Sequence, residues 1–186
     1  MDTGSTEFYT PFKSKTFFWP FVLILFLSVM NIKASENGLK PRIFVLTDIE
    51  NEPDDAMSLV RFLVYANHFD IEGLAATTSA HQRDEVATWR IREIVDAYSK
   101  VRDNLEQHER GFPSGEYVRS LITEGLPLYG MQAVGEGNDS PASELLIRAV
   151  DREDSRPLWV AVWGGPNVLA QALWKVRNTR TEEEVN

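Results

Sequence analysis

Five carboxylates stand within eight residues, Asp48-Ile49-Glu50-Asn51-Glu52-Pro53-Asp54-Asp55. Like charges this close repel and raise one another's pKa unless a cation joins them. A hard divalent cation with oxygen ligands meets that need, calcium before magnesium. The competing reading is a solvated acidic loop. Position in the chain favours the cation over the solvated loop. The run follows Ile43-Phe44-Val45-Leu46, whose β-branched and aromatic residues read as a buried strand. Pro53 suits the first turn of a helix, where its missing N–H costs nothing. Asp54 and Asp55 then fall where the helix dipole favours negative charge. The carboxylates therefore crowd the carboxyl end of a strand, where open α/β sheets bind their ligands.

The elements that must hold this loop alternate in type. Strands are expected at Ile43 to Thr47, Ile71 to Thr78 and Pro157 to Trp163. The last, with its unbroken Leu-Trp-Val-Ala-Val-Trp, reads as buried on both faces. Helices are expected from Asp54 to about Asn67, with Met57, Val60, Leu63 and Val64 on one face, and from Asp84 to about Glu109. A short helix over Glu116 to Thr123 ends before Gly125 and Pro127. Residues 130–139 read as loop. Ser140-Pro141 opens a further helix as N-cap and first-turn proline, and Val168 to about Arg177 forms the last. Strands separated by helices make βαβ units, so the fold class is α/β: a mainly parallel open sheet with helices on both faces. Right-handed crossovers bring the carboxyl ends of the strands to one edge. Three loops should meet there: the acidic loop, Thr77-Thr78-Ser79-Ala80-His81, and Trp163-Gly164-Gly165-Pro166-Asn167. Carboxylates, hydroxyls, an imidazole, an amide and close backbone suit a polyhydroxylated ligand beside a cation.

Composition narrows the partners. The 186 residues carry a formal net charge of −9, which argues against a nucleic acid or an anionic membrane surface. Zero cysteines exclude disulfides, thiolate metal sites and a cysteine nucleophile. Lys13 and Lys15 precede an apolar run from Phe17 to about Ile32, and a polar segment begins at Ser35. This is the pattern of a secretory signal peptide over residues 1–34, placing the remainder in a secreted or periplasmic setting. A membrane anchor over residues 17–32 is the alternative. Residues 35–186 would form the domain. Three strands make a narrow sheet with bare outer faces, which reads as the N-terminal portion of a longer domain.

Thr47-Asp48-Ile49-Glu50-Asn51-Glu52-Pro53-Asp54-Asp55-Ala56 resembles, without a gap, the Asp-x-Asp-Pro-Gly-x-Asp-Asp pattern of the nucleoside hydrolases. Thr77-Thr78-Ser79-Ala80-His81 is similar to that family's second strand-end turn, and Leu158 to Ala172 to its strand-to-helix turn. Arg156-Pro157-Leu158-Trp159-Val160, Trp163-Gly164-Gly165 and Ala170-Gln171-Ala172-Leu173 more closely resemble the nucleoside-hydrolase-like domain of a bacterial cellulose-binding protein. The resemblance runs from about Lys40 to Arg177. It implies calcium-dependent hydrolysis of an N-glycosidic bond. It implies Glu50 as the metal-bound base, and Asp48, Asp55 and the carbonyl of Trp163 at the metal. It places Asp54, His81 and Asn167 at the sugar. Glu50 stands where the family has aspartate and His81 where it has asparagine. The family's last metal ligand would lie beyond Asn186.

Each residue also has a plainer role. His68 and His108 read as solvated. Trp159 and Trp163 read first as core packing, and Asn167 serves equally as a helix cap. Asn138-Asp139-Ser140 is a glycosylation sequon whose meaning depends on the source. Three function classes follow. The first is the exported calcium-dependent hydrolase. The second, its alternative, is a non-catalytic carbohydrate-binding protein on the same fold, taking a cellulose-like glucan. The third is a magnesium phosphohydrolase, disfavoured because Glu52 stands where that chemistry wants a small hydroxyl residue.

Overall fold

The computed structural model describes residues 39–185. The expected leader over residues 1–34 and the alternative anchor over residues 17–32 lie outside the described residues. Among the described residues no helix is long and apolar enough to cross a membrane.

The chain runs β1 (Arg42–Thr47), α1 (Pro53–Leu63), β2 (Asp70–Ala76), α2 (Thr88–His108), α3 (Gly115–Ser120), β3 (Ile122–Glu124), α4 (Pro141–Asp151), β4 (Leu158–Val162), α5 (Asn167–Thr179) and α6 (Glu182–Val185). Single 3₁₀ turns occupy Ala66–His68 and Gly130–Ala133. The sheet order is β3-β2-β1-β4 and every pairing is parallel. The expected α/β class holds.

Alternation along β1 divides the core. Phe44 and Leu46 face α4 and α5, where Ala142, Leu146, Val168 and Ala172 are buried with them. Val45 faces Leu59 and Leu63 of α1 and Ile91, Val95 and Tyr98 of α2. The crossover through α4 must pass from one edge of the sheet to the other, so helices cover both faces. Gly73 of β2 makes room for Phe44, since a Cβ there would lie 2.2 Å from Phe44 Cε2. The β1–β2 register shifts at the same place, between Ile43 and Phe44. Ser140 and Ser143 close a capping box at the start of α4, with Pro141 in its first turn.

Three expectations need correction. The helix over Glu116 to Thr123 is α3 followed by a fourth strand, β3. In α1 the buried face is Asp55, Leu59 and Leu63, whereas Met57, Val60 and Val64 are exposed. Val60 and Val64 instead border a shallow apolar groove against Ile94, Ala97 and Val101 of α2. Strand β4 is not buried on both faces. It is an edge strand with β1 as its neighbour, and Trp159 is 63% exposed rather than packed in a core.

Tyr98 shows how tightly α2 is docked. Its hydroxyl donates to Pro113 O at 2.7 Å, and burial pushes its pKa up to about 12. A raised tyrosine pKa means that the unfolded chain loses its proton first. The stability contributed by neutral Tyr98 is therefore complete below about pH 10 and declines as pH rises toward 12. Tyr98→Phe is expected to flatten the fall of the urea midpoint across that window. An unchanged slope would show that Tyr98 does not carry it.

Candidate functional site

Parallel pairing sets the loops after all four strands along one edge, and backbone hydrogen bonds lock them together. Thr77 N donates to Thr47 O at 2.8 Å, Trp163 N to Leu46 O at 2.8 Å, Gly165 N to Thr78 O at 3.1 Å and Gly125 N to Ala76 O at 2.8 Å. Two glycines permit the closeness. A Cβ on Gly164 would lie 2.6 Å from Asp48 N, and one on Gly165 would lie 2.1 Å from Thr78 O. Gly165→Ala is therefore expected to cost about 1–3 kcal/mol, because the clashing atom is backbone and cannot turn aside. Thermal unfolding measures this. A melting temperature equal to the parent's would mean that the loops are looser than they appear.

These loops enclose a cleft of about 390 Å³. Its wall includes Asp48, Asn51, Glu52, Asp54 and Asp55 from the acidic loop, Ser79, Ala80 and His81 from the loop after β2, Tyr129 from the loop after β3, and residues 163–166 after β4. Among the described residues no lysine or arginine lines it. Asp48 and Asp55 are each only 8% exposed. The Thr47 hydroxyl donates to Asp55 Oδ2 and also accepts from Ile49 N at 3.2 Å. Burial, and then the negative charges of Asp48 and Asp54, hold the Asp55 carboxyl above the usual range, while the Thr47 hydrogen bond opposes them. Asp54 is exposed at the mouth. Ser79 Oγ accepts from the backbone N–H of His81 and Gln82 at 3.1 and 3.2 Å. That small turn carries His81 to the rim. Trp163 forms part of the wall and packs edge-on against Phe62, centroids 6.2 Å apart.

Two expected members stand elsewhere. Glu50 has φ +82°, and among the described residues it alone is a non-glycine with positive φ. This left-handed turn sends its side chain to Arg90 of α2, with which it pairs, and away from the cleft wall. Arg90 also holds Glu93 at 2.9 Å. Asn167 lies beneath the cleft, 4% exposed, and neither lines the wall nor caps α5. Its Oδ1 accepts from the Thr77 hydroxyl at 2.8 Å, and its buried Nδ2 has no hydrogen-bond acceptor among the described residues. Tyr129 is the wall residue that sequence reasoning missed. The signal was present in Leu126-Pro127-Leu128-Tyr129, which follows β3, but β3 itself went unread.

The donor set can be tested against the implied calcium ion. Asp48 and Asp55 share a corner with too little positive charge, and that part fits. Glu50 is withdrawn to Arg90. Among the described residues no three histidine, aspartate or glutamate side chains are arranged to hold a metal. Calcium takes about six to eight oxygens. The residues present do not make up the implied shell.

Comparison with known proteins places this geometry in context. Residues 42–186 match the family model described as cellulose-binding Sde182, nucleoside hydrolase-like domain. A solved protein from Saccharophagus degradans is similar at 44% identity and a TM-score of 0.77, over 79% of this chain. It is described as nucleoside hydrolase-related and associated with carbohydrate metabolism. The present chain spans 36% of that protein's length. No curated protein matches.

Proposed function

The chain belongs to the family of the cellulose-binding Sde182 nucleoside-hydrolase-like domain, and from that membership we propose that its acidic cleft binds carbohydrate. The observation that carries the reading is the cleft wall. Asp48, Asp54 and Asp55 stand beside Tyr129 and Trp163, with His81 at the rim and no lysine or arginine in the wall among the described residues. Carboxylates accept hydrogen bonds from sugar hydroxyls, and charge-assisted bonds of this kind are the strong ones. Aromatic rings supply apolar area against the C–H faces of a sugar ring. A few fixed polar groups in a concave site are what orient a small ligand. A leader over residues 1–34 would bring such a cleft to extracellular glucans.

Hydrolysis of an N-glycosidic bond is the second reading, and Glu50 keeps it in view. A non-glycine residue held at positive φ is strained, and such strain gathers at functional sites. As base, Glu50 would have to release Arg90 and take a proton from a water. The water oxygen would then bond to the anomeric carbon as the C–N bond breaks, and the nucleobase would leave with the bonding electron pair and take up a proton from solvent. The pairing of Glu50 with Arg90 weighs against this and favours binding.

Titration calorimetry with cellotetraose, alongside chromatography of a ribonucleoside panel, separates the two. Heat of binding with no release of nucleobase is the expected result. Nucleobase release that disappears in Glu50→Gln would replace the binding reading with the hydrolase.

A further inference from the structure

The cleft does not end at His81 and Tyr129. Both residues also line a second chamber of about 520 Å³, completed by Arg83, Asp84, Pro127, Leu128 and Gln132. The two chambers adjoin through that shared pair. The second is built by the loops after β2 and β3, and it is braced. Thr78 Oγ1 donates to Leu128 O at 2.8 Å, Arg83 Nε donates to Ala80 O at 2.9 Å, and the Arg83 guanidinium stacks on the Tyr129 ring at 4.8 Å. The stacking holds the ring at the junction. The polar groups here are a carboxylate, a carboxamide and a guanidinium, which together can both donate to and accept from hydroxyls.

Each chamber alone falls within the roughly 300–1,000 Å³ of a small-ligand pocket. A nucleoside or single sugar would fill the acidic chamber and leave the second without use. Resting on the carbohydrate reading above, we propose that the second chamber is a further glycosyl subsite. The ligand class is then an oligosaccharide of two or more units that crosses between His81 and Tyr129, not a nucleoside or a monosaccharide.

Calorimetry of the whole chain with glucose, cellobiose and cellotetraose tests this. The association constant should rise at least tenfold from glucose to cellotetraose. In Asp84→Ala and Gln132→Ala, both confined to the second chamber, that gain should fall to under twofold. Retained melting temperatures show that both variants are folded. Equal affinity for glucose and cellotetraose overturns the subsite and leaves the carbohydrate reading standing. So does a length-dependent gain that survives both substitutions. No heat with any of the three sugars overturns the carbohydrate reading and the subsite together.

Discussion

Arg42→Ala is expected to lower the unfolding free energy by as much as about 3–5 kcal/mol, the upper range for removing one of the partners of a buried carboxylate. Arg42 opens β1 at the end of the sheet away from the cleft and is 2% exposed. Its Nε donates to Glu72 Oε1 at 2.9 Å, its Nη1 to Arg156 O at 3.3 Å, and its Nη2 to Ala149 O. Glu72, on the neighbouring strand β2, is 7% exposed. Truncation leaves this carboxylate with Arg152, which is half-exposed, and removes the Arg42 hydrogen bonds to the Arg156 and Ala149 carbonyls. The double variant Arg42→Met/Glu72→Met removes both charges together and should recover most of the loss, because well-packed apolar side chains replace buried ion pairs at little cost. Urea unfolding with an unchanged slope measures both effects. A loss below about 1 kcal/mol in Arg42→Ala would show that the pair is solvated.

The acidic loop was legible because its physics is local. A β-branched run, a first-turn proline and two aspartates at a helix start state their positions without help from the rest of the chain. The direction of the Glu50 side chain was not legible. It depends on a left-handed φ within the loop and on Arg90, on a helix far along the sequence. Strand β3 was missed because Ile122–Glu124 is too short to show a period of two. Its loss hid Tyr129 and the second chamber. The Leu158–Val162 strand read as central because its residues are apolar, but apolar character does not count neighbours, and the sheet order makes it an edge. Asn167 sits at a helix start in sequence, yet its Oδ1 accepts from Thr77, a tertiary contact that no helix rule contains.

The sharpest consequence of this geometry is a reversal among the carboxylates. Asp54→Ala and Asp48→Asn should each weaken cellotetraose binding by tenfold or more, whereas Glu50→Gln should change it by no more than about twofold. A hydrogen bond to a charged group contributes about 1.5–3 kcal/mol net, and about 1.4 kcal/mol is a factor of ten in affinity. Asp54 stands exposed at the cleft mouth, so truncating it removes a ligand contact and little packing. Asp48 lies against Gly164, so asparagine, which keeps its shape, is the informative substitution there. Glu50 is tied to Arg90 outside the wall, and changing it alters a surface pair away from the sugar. Motif position would rank the three the other way, with Glu50 first. A tenfold loss in Glu50→Gln with unchanged binding in Asp54→Ala would mean that Glu50 turns into the cleft when ligand arrives. The Arg90 pair would then be a resting partner of the catalytic base, and the hydrolase reading would stand in place of the binding one.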